Sequence, residues 1–161
     1  AMAKGEAEWH CIGSLQRNKV KKAVEVFDCI QTLDSMRLAE EIGKRCESMR
    51  CLVQVNIGRE RQKGGVLPES LAGFLKEAAS LPGLKIEGLM AIEPAGQAEL
   101  ARPYFRQMKL LFDGCKTLGL ANVQMRWLSM GMSNSYQIAA QEGSSMVRIG
   151  TAIFGPRERV G

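Results

Sequence analysis

The sequence predicts an α/β fold of parallel strands joined by crossover helices, and three observations carry that reading. Short apolar runs alternate with amphipathic stretches along the whole chain. The run CLVQVNI at 51–57 is apolar almost without interruption, as expected of a strand covered on both faces. Helix-boundary signals separate the apolar runs, and strand–helix alternation of this kind places parallel strands in one sheet.

Strands are expected at 9–13, 27–32, 51–57, 85–92, 123–129 and 146–149, with helices at 17–25, 35–49, 68–80, 98–118 and 134–142. Ser35 stands where it can cap the second helix, with Leu38, Ile42 and Cys46 on one face. Pro68 suits the first turn of the third helix, and LPG at 81–83 ends it. Gly119 terminates the long fourth helix, and Ser133 is placed to cap the fifth. The connection GRERQKGGV at 58–66 is the longest, and its glycines and charges suggest mobility. No repeat, low-complexity tract or linker divides the 161 residues, so a single domain spanning 1–161 is expected. About six strand–helix units can be counted. An open doubly wound sheet and a (β/α)8 barrel both use this order, and periodicity alone does not choose between them. In either, ligands sit beyond the carboxyl ends of the strands.

Composition narrows the function classes. Hydrophobic and charged fractions of 45% and 24% are those of a soluble globular protein. No apolar run approaches the roughly 18 residues of a membrane span, and AMAKGEAEWH lacks the pattern of a secretory signal. Cys11, Cys29, Cys46, Cys51 and Cys115 are odd in number and form no C-x-x-C pair. They are expected to be reduced thiols in a cytoplasmic protein, not a disulfide frame or a zinc site. His10 is the single histidine, which argues further against a metal centre. The formal charge of +5 is concentrated in QRNKVKK (16–22) and GRERQKGG (58–65). Without interleaved aromatics or a nucleic-acid motif, these segments read as solvated surface.

The closing stretch carries the chemistry. Gly131, Ser133 and Asn134 follow the fifth strand, and Gly150 and Thr151 follow the last. Small residues let a ligand approach the backbone, and two such turns on neighbouring parallel strands would converge on one anion. The alternative is ordinary turn and capping chemistry. Arg148 sits inside the apolar run MVRIG, where a guanidinium must be paired or hydrogen-bonded. It is either half of a structural ion pair or a donor to a ligand seated by those turns.

The segments WHCIGSLQRNK (9–19), VNIG (55–58), GLMAI (88–92), LSMGMSNSY (128–136) and VRIGTAIFG (147–155) resemble the pyridoxal phosphate homeostasis proteins. That family is related to the N-terminal domain of alanine racemase. The resemblance covers nearly the whole chain. It implies a (β/α)8 TIM-barrel-like fold, the fold type III pyridoxal phosphate (PLP) domain, with about six of its eight units present here. It implies that Ser133, Gly150 and Thr151 bind the cofactor phosphate, with Gly131 in the same turn. Arg148 would donate to the pyridine nitrogen, and Asn56, Met90 and His10 would lie near strand ends around the pocket. The family carries its cofactor-binding lysine on an N-terminal strand, followed by a unit with an F-G-E-N-like motif, and neither precedes Trp9. Lys19 and Lys63 lie in helix-start and loop contexts, so weak PLP binding or none is expected of this chain alone. Ser135 stands where the family often has aspartate, and Ser145 where threonine is common.

The expected function is PLP binding in vitamin B6 and amino-acid homeostasis, as a non-catalytic carrier or regulator. Two alternatives are a PLP-dependent racemase-like enzyme and a basic interaction module with a vestigial pocket. PLP is the expected partner, with neither membrane nor nucleic acid. The whole family protein is expected to be a monomer, whereas a partial barrel with two open sheet edges invites self-association.

Overall fold

The computed structural model describes residues 6–156. Its strands are β1 (His10–Cys11), β2 (Cys29–Leu33), β3 (Ser48–Val55), β4 (Gly83–Ala91), β5 (Val123–Met132) and β6 (Met146–Arg148). The α-helices are α1 (Val20–Val26), α2 (Met36–Gly43), α3 (Leu71–Ala78), α4 (Arg102–Lys116), α5 (Tyr136–Gln141) and α6 (Thr151–Phe154). All strands are parallel, in the order β1-β2-β3-β4-β5-β6. Strictly sequential order has no switch point, so the sheet is wound as a barrel is and not as a doubly wound sheet. The result is a parallel half-barrel of six strands.

Period-two alternation separates the faces of this sheet. In β3, Cys51, Val53 and Val55 join the main core under the helices, while Leu52 points to the opposite face with Cys29 and Met90. In β4, Ile86 and Leu89 both face the helices, although three residues apart. The pairing skips Glu87, the extra residue that restores the phase, and resumes at Gly88. The φ of Gly88 is +153°, and a Cβ would lie 1.8 Å from the Trp127 carbonyl oxygen, so only glycine fits. The main core fills with Leu71, Leu75, Phe105 and Met108 from α3 and α4, all nearly or wholly buried. Each such side chain contributes about 1.5–3 kcal/mol on leaving water.

Some boundaries differ from expectation. The second helix stops at Gly43, and Ser48, Met49 and Arg50 begin β3. Arg50 there bonds Glu87 across the sheet at 2.8 Å, a tertiary pairing that helical periodicity does not register. Ser35 occupies the N-cap of α2 but makes no side-chain capping bond. The 58–66 connection is tied down: Asn56 Nδ2 donates to the Glu60 and Lys63 carbonyls at 2.9 and 3.1 Å, and Val55 bridges Val66. Among the described residues, no helix is long and apolar enough to cross a membrane.

Helices α4 and α5 are clamped by charge. Glu142 accepts from Arg102 Nη1 at 2.7 Å and from Arg106 Nε at 2.9 Å. Arg106 first, then Arg102, holds the Glu142 carboxyl below its ordinary value. A carboxyl depressed in the folded state stabilises above its unfolded value, about 4.3, and that contribution is lost as pH falls through the folded value. Glu142→Gln should therefore lower the melting temperature at neutral pH. The gap between variant and parent should close as the pH is taken well below 4.3, read by circular dichroism melts across the series.

Candidate functional site

Beyond the carboxyl ends of the strands lies a cavity of about 910 Å³. Its wall takes His10 and Ile12 from the end of β1, Gln31 from β2, Lys63 from the loop after β3, and residues 92–98 after β4. Residues 132–135 after β5 and 146–151 of β6 and its following turn complete it.

The two expected turns meet here. Ser133 Oγ accepts the backbone N–H of Gly150 at 3.1 Å and of Ala152 at 3.3 Å, cross-linking the turn after β5 to the one after β6. The expectation that Ser133 caps its own helix is corrected. The N-cap of α5 is Ser135, two residues later, which leaves Ser133 to reach the neighbouring turn. With two donors on its oxygen, the Ser133 hydroxyl keeps only its proton to offer. The backbone amides of Ser133, Asn134 and Thr151 and the Thr151 hydroxyl have no partner among the described residues.

Ser135 is the brace beneath this seat. Its Oγ accepts the Met132 N–H at 3.0 Å and donates to Glu93 Oε1. Glu93 is 8% exposed, and its Oε2 has no hydrogen-bond partner among the described residues. Where the resemblance expects an aspartate at 135, a serine here takes its carboxylate contact from residue 93. Lys63 Nζ donates to the Glu93 carbonyl at 3.2 Å and pairs with Glu60 at 2.5 Å, so the loop after β3 closes against this segment.

Arg148 forms no ion pair among the described residues. Nη1 donates to Ser129 Oγ at 2.7 Å and Nη2 to the Ala91 carbonyl at 2.8 Å. Burial pulls its pKa below the ordinary arginine value, opposed by the Glu93 charge. A guanidinium nevertheless stays protonated in proteins, so the cavity wall carries a fixed cation held by neutral acceptors. The fork's other N–H donors have no partner among the described residues.

Of the residues expected around a ligand, Ser133, Arg148, Gly150, Thr151 and His10 line the cavity. Asn56, Met90 and Gly131 do not. Asn56 is spent on its own loop, accepting Glu60 N–H as well as donating to two carbonyls. Met90 is wholly buried with Cys29, Leu52 and Ile92. Gly131, at φ +91°, lets α5 approach: a Cβ there would lie 2.4 Å from Ala139 Cβ. Sequence reasoning did not single out Gln31, Ser129, Glu93 or the cavity position of Lys63. A glutamine inside CIQTL and a glutamate after the apolar run LMAI were the available signals, since polar groups in such runs need buried partners.

The model of the alanine racemase N-terminal domain family matches residues 1–158. The chain belongs to that family. As an alanine racemase N-terminal domain it is 42% identical over 158 residues to the pyridoxal phosphate homeostasis protein of Aquifex aeolicus (strain VF5), covering 95% of this chain and 68% of that relative. The same-named protein of Pasteurella multocida (strain Pm70) is 43% identical over 157 residues, covering 94% of this chain and 66% of the relative. The chain thus spans about two thirds of the length of these curated relatives. Among solved structures, PipY of Synechococcus elongatus PCC7942 with PLP bound superposes with a TM-score of 0.83 at 32% identity, covering 94% of this chain and 72% of PipY. PipY without PLP gives 0.86 at 33% identity over the same shares. Alanine racemase of Corynebacterium glutamicum, at 16% identity and TM-score 0.72, covers 98% of this chain and 46% of its own and shares the fold.

In this family member the turn after β5 depends on Gly131. Gly131→Ala combines backbone strain at positive φ with a clash against α5, and should cost about 2 kcal/mol or more. A lower urea midpoint with an unchanged slope is the expected result.

Proposed function

We propose that this chain holds pyridoxal 5′-phosphate reversibly through its phosphate and ring nitrogen, weakly for want of a Schiff-base lysine at a matching position. In this reading it serves PLP homeostasis as a carrier or regulator, not as a turnover enzyme. The observation that carries the reading is the Ser133 hydroxyl. Filled on its acceptor side by two backbone N–H groups, it faces the same cavity as the Arg148 guanidinium. A phosphate offers oxygens that only accept, which is what the Ser133 proton, the Thr151 hydroxyl and the unpaired turn amides need. The ring nitrogen of the cofactor is a second acceptor, suited to the free donors of Arg148. Bound PLP supplies an aldehyde that reacts with amines and a ring able to delocalise negative charge. Arg148 tempers the second property, because a fixed cation with no proton-accepting atom keeps the neighbouring nitrogen unprotonated and the ring a weaker electron sink. That suits holding and releasing the cofactor.

A racemase-like activity needs acid–base groups on both faces of the substrate. Tyr104 packs against the main core and Tyr136 is exposed outside the cavity lining, so neither supplies one. Cytoplasmic residence is supported by the five free cysteines. Burial pushes the Cys29 thiol up to about 12 and raises Cys51 and Cys115 as well, so these are packing residues. The sheet ends in two short strands, β1 and β6, with no further neighbour among the described residues. Self-association through these edges is expected, and light scattering that returns a monomer at every concentration overturns it.

The cofactor reading is tested by absorbance titration with PLP, with inorganic phosphate as competitor. Ser133→Ala should weaken PLP and phosphate together, roughly tenfold or more. Arg148→Ala should move the bound absorbance maximum while leaving phosphate competition nearly unchanged. Variants indistinguishable from the parent in both measurements would sink the assignment.

A further inference from the structure

Beneath the cavity a chain of hydrogen bonds runs from Arg148 to the surface. Arg148 Nη1 donates to Ser129 Oγ at 2.7 Å, and Ser129 Oγ donates to Gln31 Oε1 at 2.7 Å. Gln31 Nε2 lies 2.7 Å from His10 Nδ1 and 3.2 Å from Met146 Sδ. His10 Nε2 in turn meets Glu8 Oε2 at 3.3 Å. Gln31 and Ser129 are 2% and 0% exposed, so neither can turn to water for a substitute.

Chemistry assigns each proton in this chain a direction. A guanidinium only donates, so Ser129 must accept from Arg148 and spend its own proton on Gln31 Oε1. The Gln31 amide then presents nitrogen to His10. The Met146 thioether, an acceptor without a proton of its own, independently requires nitrogen on that side. His10 must therefore offer a bare Nδ1 and carry its proton on Nε2, where Glu8 receives it. Glu8 is committed to this end of the chain: its contact with His10, and next with Arg50, holds its carboxyl below the ordinary range. Reversing the amide would aim the Gln31 N–H at Ser129 and turn the serine proton toward the guanidinium, setting buried donors face to face.

We propose that Ser129, Gln31 and His10 are positioning residues that aim Arg148 into the cavity, and that the relay couples what Arg148 meets there to the His10–Glu8 contact beside β1. The inference rests on the PLP reading for the ligand that Arg148 meets, but not for the relay itself.

The chain has one histidine, so histidine labelled with ¹⁵N gives a single pair of imidazole signals. In the parent, the neutral ring should carry its proton on Nε2, with Nδ1 a hydrogen-bonded acceptor. Ser129→Ala and Arg148→Met, neither of which touches His10, should both move the Nδ1 signal toward that of an unbonded ring. Gln31→Glu, whose carboxylate cannot donate, should draw the proton onto Nδ1. A parent protonated on Nδ1 overturns the relay. So does an Nδ1 signal that ignores both remote substitutions in variants that melt as cooperatively as the parent. Adding PLP then separates the two readings. Because His10 also lines the cavity, an absorbance change and a His10 shift with one midpoint support both only where Ser129→Ala abolishes the shift. An absorbance change with no His10 shift, or with one that survives Ser129→Ala, overturns the coupling. Remote shifts in the variants with no absorbance change on adding PLP overturn the cofactor reading and support the positioning of Arg148.

Discussion

A guanidinium set into a parallel sheet without a carboxylate partner is the constraint on which the site depends. Burying that charge is tolerable only if neutral acceptors stand where the fork can reach them. The acceptors come from two other strands, Ser129 on β5 and the Ala91 carbonyl at the end of β4. Sequential strand order makes this possible. It puts β4, β5 and β6 side by side, with Met90 opposite Ser129 and Ser129 opposite Met146, so Arg148 lies just beyond the residues it must reach.

The same adjacency governs how the turns after β5 and β6 meet. Turns after neighbouring parallel strands point the same way, and Ser133 joins them by accepting two amides from the β6 turn. That reach needs α5 packed close under the first turn, which Gly131 permits, and a turn closed by Ser135 N–H on the Met132 carbonyl at 2.9 Å. The Glu93 carboxylate fixes Ser135 from outside the turn. Backbone conformation, a buried acid and a cross-strand hydroxyl thus act on one few-residue segment, and the cavity wall inherits its geometry from them.

The strand–helix order, the parallel sheet and both small-residue turns were legible in the sequence, because each rests on local pattern: alternation, turn residues, small residues at strand ends. The tie between those turns was not. Ser133 reads as a cap for the helix that follows it, and only the lateral position of β6 redirects its hydroxyl. Asn56 and Met90 were placed correctly near strand ends, yet one is consumed by its loop and the other faces a packed layer. Side-chain direction at a strand end depends on bulges such as the one between Ile86 and Gly88, which a two-residue period does not encode. Gln31 stood out only as a polar residue inside CIQTL, and neither its partners nor those of Ser129 could be read, for a related reason. Their roles exist only once strands far apart in sequence are brought together, and an isolated polar residue in an apolar run names no partner.

The distribution of charge sets the cavity apart from the basic surface. Much of the surface charge is compensated locally: Arg59 pairs with Glu69, Lys63 with Glu60, and Lys109 and Lys116 share Asp113. Exposed cations without such partners still act through water, where salt screens them within about 8–10 Å. Arg148 differs in both respects. It is largely buried, lines the cavity and meets no carboxylate directly, although the Glu93 charge acts on it from nearby. A charge so placed is screened less by solvent and salt than one on the outer surface. The excess of +5 over the whole chain sets how the protein behaves toward polyanions in general. Arg148 and the donor-lined turns are what distinguish the cavity wall from that outer surface.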